Sequence, residues 1–82
     1  MSDKRSLLAE RVRTIVARQM KVDRERIGED ASFLDDLGGD SLSVVELVLT
    51  FEAQFKLKIP DSVAERLRTV ADAVTYLEQH AA

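Results

Sequence analysis

Asp35-Asp36-Leu37-Gly38-Gly39-Asp40-Ser41-Leu42 closes an irregular segment and opens the most apolar helix of the chain. The helix is expected from Ser41 to about Phe55, with Asp40 as its N-cap. At about 100° per residue its apolar positions fall on two stripes. Val44, Leu47, Val48, Phe51 and Phe55 form the wider one, and Leu42, Val45 and Leu49 a narrower one on another side. Ser43, Glu46, Thr50 and Gln54 fill the polar arc between them. One stripe is enough to pack a bundle helix. The second is surplus, and Ser41 stands near its edge. Either both stripes are core in a crowded bundle, or the second is an apolar patch that a partner covers.

Upstream, Leu8, Val12, Ile15 and Val16 share one face of a first helix over residues 3–20, with Ser2 or Asp3 as cap. Arg11, Arg13 and Arg18 lie off that face and read as a solvated surface. Residues 21–40 are irregular and hold all three glycines. Connections this long in a small domain tend to be functional. Phe33, Leu34 and Leu37 are expected to tack this one to the core, and Gly38 suits a left-handed backbone position.

Downstream, Pro60 ends helical geometry at Ile59, and Asp61 caps a short helix over 61–67 with Val63, Ala64 and Leu67 inward. Thr69-Val70-Ala71-Asp72 resembles a capping box with Asp in place of Glu. Val70, Ala73, Val74 and Leu77 then repeat at helical spacing to about Gln79. No strand-like alternation occurs. The expected fold is all-α: a small four-helix bundle with three longer helices, a short third helix and a long first loop.

Eighty-two residues make one domain. There is no cysteine, hence no disulfide and no thiolate metal site, and the one histidine, His80, lies three residues from the end. With 45% apolar and 33% charged residues the composition is that of a soluble globular chain. No apolar run approaches the roughly 20 residues of a membrane span. The N-terminus lacks a signal-peptide core, so a cytoplasmic location is expected. Net charge is −3, unevenly spread. Residues 1–26 carry +4, residues 27–55 carry −7 with no Lys or Arg, and residues 56–82 are neutral. The negative middle third attracts basic surfaces and repels phosphate backbones, which argues against nucleic-acid binding there.

Four chemistries are open to Ser41 and the acidic turn before it. Gly39-Asp40-Ser41-Leu42 spells a hydrolase signature, but a serine nucleophile needs an oriented base, and His80 sits on the tail without an Asp three residues before it. A calcium loop would need alternating ligands and a closing Glu, which Asp35, Asp36 and Asp40 lack. A DNA-recognition helix bearing Asp40, Glu46 and Glu52 would be repelled by phosphates. Covalent modification of Ser41 fits best. A phosphodiester there would lie at the positive end of the helix dipole, favourable by roughly 0.3–1 kcal/mol. The nearby aspartates oppose that charge, so something else must require them, such as a basic partner enzyme or the metal ion it carries.

Asp36-Leu37-Gly38-Gly39-Asp40-Ser41-Leu42 resembles the 4′-phosphopantetheine attachment motif of acyl carrier proteins. The resemblance continues through Ala31-Ser32-Phe33, Val45-Glu46-Leu47-Val48, Ile59-Pro60-Asp61 and the last helix, so residues 1–82 read as a single acyl carrier domain. It implies that a magnesium-using phosphopantetheinyl transferase attaches the arm from coenzyme A to Ser41, beside Asp40. It implies a monomeric carrier of acyl thioesters that catalyses nothing itself. Its partners would be acyl-transfer, ketosynthase, reductase or dehydratase enzymes with basic docking surfaces. The second helix would dock them through Leu42, Val45 and Leu49, with Asp40, Glu46 and Glu52 meeting lysines and arginines. The acyl chain would tuck between the second and third helices, against Leu47, Phe51, Ile59, Ala64 and Leu67.

Type II fatty-acid biosynthesis is the implied pathway. The chain departs from fatty-acid carriers in two ways. Ala53, Gln54, Lys56, Lys58 and Ser62 stand where those proteins usually continue the acidic face, and Gly39 replaces a frequent alanine. The alternative is a specialised stand-alone carrier for polyketide, aminoacyl or peptidyl, or unusual lipid synthesis.

Overall fold

The computed structural model describes residues 4–80. Four α-helices follow in order: α1 (Lys4–Met20), α2 (Ser41–Phe55), α3 (Asp61–Ala64) and α4 (Val70–His80). A 3₁₀ turn, Arg24–Arg26, interrupts the first connection, where none was expected from sequence. The expected caps Ser2 and Asp3 lie outside the described residues.

α1 packs chiefly on α4 and next on α2. Its expected apolar face is the one it buries: Leu8, Val12 and Val16 are buried and Ile15 half-buried. The core continues through Ile27, Phe33 and Leu37 of the long connection, then Leu47, Val48, Phe51 and Phe55 of α2, and Val70, Ala73, Val74 and Leu77 of α4. Full burial of each such aliphatic or aromatic side chain contributes about 1.5–3 kcal/mol. In a chain this short, that sum must offset the entropy of ordering the backbone.

The long connection is held by named bonds. Phe33 N donates to Arg68 O at 3.0 Å, and Val70 N donates to Ala31 O at 3.1 Å, on either side of an isolated antiparallel bridge between Ser32 and Thr69. Ala71 N adds a bond to Glu29 O at 2.8 Å. Arg13 clamps the other end: its Nε donates to Ile27 O at 2.8 Å and its guanidinium also reaches Arg24 O. The reading of the α1 arginines as a solvated face is therefore corrected for Arg13, which is half-buried; Arg11 and Arg18 are exposed, with the Arg11 guanidinium 4.3 Å from the centre of the Phe55 ring.

The Thr69–Asp72 capping box forms as expected. Asp72 N donates to Thr69 Oγ1 at 3.2 Å, and Thr69 N donates to Asp72 Oδ2 at 3.1 Å. α3 is shorter than expected and stops at Ala64. Arg66 N and Leu67 N bond three residues back, to Val63 and Ala64, so the chain tightens out of the α-helix before Leu67. Leu67 is still buried, and Arg68 O is freed to take the Phe33 amide.

Candidate functional site

Ser41 is the first residue of α2 and is exposed. Asp40 precedes it in extended geometry (φ −124°) and caps the helix, accepting from Ser43 N at 2.9 Å. That backbone bond first, and the Ser43 hydroxyl second, hold the Asp40 carboxyl below the usual carboxylate range. Asp36 serves the preceding turn: Ser32 N donates to Asp36 Oδ2 at 2.8 Å, while Asp35 N donates to Ser32 Oγ at 3.2 Å. Two of the three aspartates around Ser41 thus hold backbone in place.

The two glycines differ in role. Gly38 takes the left-handed conformation expected of it (φ +70°). Gly39 is needed for close approach. A Cβ there would lie 2.8 Å from Phe33 O and closer still to Met20 Cε, and Gly39 N itself donates to Phe33 O at 3.0 Å. So this glycine packs the segment before Ser41 against α1 and the long connection.

The narrow stripe of α2 is solvent-facing: Leu42 is 65%, Val45 54% and Leu49 58% exposed. The crowded-bundle reading of that stripe does not hold. From Ser41 an open groove of about 770 Å³ runs between α2 and the segment around α3. Val44, Val45, Val48 and Leu49 form its α2 wall, and Ile59, Ala64 and Leu67 face them, with Phe33 and Leu34 completing it. Leu47 and Phe51, expected in this lining, are not part of it. They are 1% exposed and belong to the central core, because the wide stripe of α2 divides, with only its Val44–Val48 edge turned to the groove.

Glu46 is exposed on α2, as a docking residue would be. Glu52 is half-buried and engaged: its Oε2 accepts the Ile59 amide at 2.7 Å, fixing the α2–α3 turn at the groove wall. The sequence reading assigned Glu52 to partner contact alone and missed this role, although Glu52 followed seven residues later by an N–H just before Pro60 hints at it.

His80 is occupied elsewhere. Its Nδ1 lies 3.0 Å from Tyr76 O, and its ring stacks on Tyr76 at 4.1 Å between centres. Among the described residues no three metal-ligating side chains converge, and no helix is long and apolar enough to cross a membrane. The arrangement is a presenting scaffold: an accessible hydroxyl at a helix start, an apolar patch beside it and a groove below it.

Comparison with known proteins gives the class its name. Residues 10–77 match the family model described as phosphopantetheine attachment site. The acyl carrier protein of Zymomonas mobilis is 49% identical over 74 residues, which cover 90% of this chain and 95% of that protein. The chain belongs to the acyl carrier protein family. It is a carrier and not a catalyst, it bears covalently attached 4′-phosphopantetheine, and its partners are a phosphopantetheinyl transferase and biosynthetic enzymes.

The residues present fit that group. The exposed Ser41 hydroxyl offers an oxygen for a phosphodiester, and the α2 N-terminus favours negative charge there. The group supplies a thiol, which the cysteine-free chain lacks.

Proposed function

We propose that Ser41 carries the 4′-phosphopantetheine and that the chain serves type II fatty-acid biosynthesis in the cytoplasm, as a monomeric single domain. The observation that carries this reading is the exposed Ser41 at the head of an apolar groove, beside an exposed apolar stripe. Leu42, Val45 and Leu49 make the contact with each partner, and Asp40 and Glu46 meet its basic residues. Exposed charge pairs add little affinity and instead steer encounter, which suits a protein that must release every partner. The groove shelters an apolar acyl chain against Val44, Val48, Ile59, Ala64 and Leu67.

A second reading, a specialised stand-alone carrier, is favoured by one observation. The far end of α2 presents Ala53, Gln54 and Lys56 exposed, and Glu52 turned to Ile59, so the acidic face is short. The pathways separate by how the loaded chain is charged. A malonyl transferase and ketosynthase of fatty-acid synthesis should load and extend the chain. Charging only by an ATP-dependent amino-acid ligase would instead support the specialised carrier.

A further inference from the structure

The free charge on the docking helix changes sign along its length. Asp40 and Glu46 are exposed near Ser41, with Asp35 exposed on the adjoining turn. Glu52, half-buried, keeps its charge but turns its carboxylate to the Ile59 amide at the groove wall. Ala53 and Gln54 follow, neutral and exposed. Lys56 then ends the helix, exposed and in left-handed geometry (φ +54°). Arg11 comes to the same corner from α1, its guanidinium 4.3 Å from the centre of the Phe55 ring. Phe55 and Lys56 are consecutive, so two cations flank the last turn of α2. Neither takes part in an ion pair among the described residues. At 1.5 Å per residue Asp40 and Lys56 stand roughly 24 Å apart along the helix, with Leu42, Val45 and Leu49 between them.

Resting on the reading of Ser41 as the attachment point, we infer that α2 docks a polarised partner. That partner is a protein surface with a basic patch opposite Asp40 and Glu46 and an acidic patch opposite Arg11 and Lys56. The charge arrangement acts in both directions. It aligns such a partner along α2, and it places Arg11 and Lys56 against the far end of any uniformly basic docking surface. Like charges set against each other at an interface are a device for rejecting wrong partners. The basic corner is therefore a specificity element.

The test uses the full chain loaded to completion with phosphopantetheine, and the ketosynthase encoded in the same genome as probe. Failure of the wild-type chain to load on Ser41 would defeat the underlying reading before any partner is added. With loading established, Arg11→Glu/Lys56→Glu should raise KM for the carrier about 10-fold with kcat unchanged, and high salt should shrink the difference. Lys56→Glu alone, which leaves the Arg11–Phe55 contact intact, should give part of that rise. Changing an acidic residue of the ketosynthase docking surface to Lys should recover the KM of the double variant. An unchanged or lowered KM in both variants overturns the inference, since the partner surface is then uniformly basic or does not reach this corner.

Discussion

The amide of Ile59 donates to Glu52 Oε2 at 2.7 Å, and this bond closes the turn that joins α2 to α3. The turn needs it. α2 ends at Lys56 in left-handed geometry, with Leu57 N bonded back to Glu52 O at 3.2 Å, and Pro60 then has no N–H to offer. Glu52 thus accepts three times: its backbone oxygen takes the Lys56 and Leu57 amides, and its side chain takes the Ile59 amide. Glu52→Ala should cost about 1 kcal/mol, because a half-buried amide loses a charged acceptor. Glu52→Gln should recover most of that loss, since its side-chain oxygen still accepts. Chemical denaturation of the three proteins reads this directly, and an Ala variant as stable as wild type would show that water replaces the carboxylate.

Gly39→Ala should be poorly tolerated. Its methyl would press on the Phe33 carbonyl at 2.8 Å, a backbone atom that also accepts the Gly39 amide. Overpacking of this kind costs about 1–3 kcal/mol. For a domain of this size each kcal/mol lowers Tm by roughly 4–8 °C. Combining it with Met20→Ala removes one obstacle and leaves the carbonyl, so rescue in a thermal melt should be partial. Full rescue would mean that Met20 was the whole constraint.

Asp40 makes stability depend on acid. Its folded-state carboxyl titrates below the ordinary range because it accepts from Ser43. A depressed pKa contributes stability that is fully present above the unfolded-state value, about 4, and is lost as pH falls through the folded-state value. Tm of the wild-type chain should therefore drop across the acid range below pH ~4 more steeply than Tm of Asp40→Asn. The Asn side chain still caps the helix, so the difference isolates the charge. Parallel acid profiles would remove Asp40 from the account.

Val45→Glu separates docking from folding. Val45 is 54% exposed on α2, so the substitution should change stability by no more than about 0.5 kcal/mol. Turnover by a partner enzyme should fall through KM, because a charge replaces an apolar contact at the centre of the stripe. Unfolding of this variant would show that the stripe is structural.

What was legible in the sequence was local. The helical periods of α1, α2 and α4, the Asp40 cap, the Thr69–Asp72 box and the left-handed Gly38 all depend on residues within one or two turns of each other. What was not legible joins distant segments. The Ser32–Thr69 bridge, the Arg13 clamp on Ile27 O and the Glu52–Ile59 bond leave no periodic trace, because each is a single contact. Periodicity also places residues on stripes without saying what each stripe meets. That is why Leu47 and Phe51 were expected in the groove wall, where Val44 and Val48 stand instead. Gly39 carries no local signal of its role, and only the nearness of Phe33 O and Met20 shows it to be a packing residue.

The central claim is that the arm is attached at Ser41. Intact mass spectrometry of the chain after incubation with coenzyme A, magnesium and an active phosphopantetheinyl transferase measures it most directly. The account predicts a gain of one phosphopantetheine, mapped by fragmentation to Ser41 and absent from Ser41→Ala. No gain on the wild-type chain, or a gain that persists in Ser41→Ala, would contradict it.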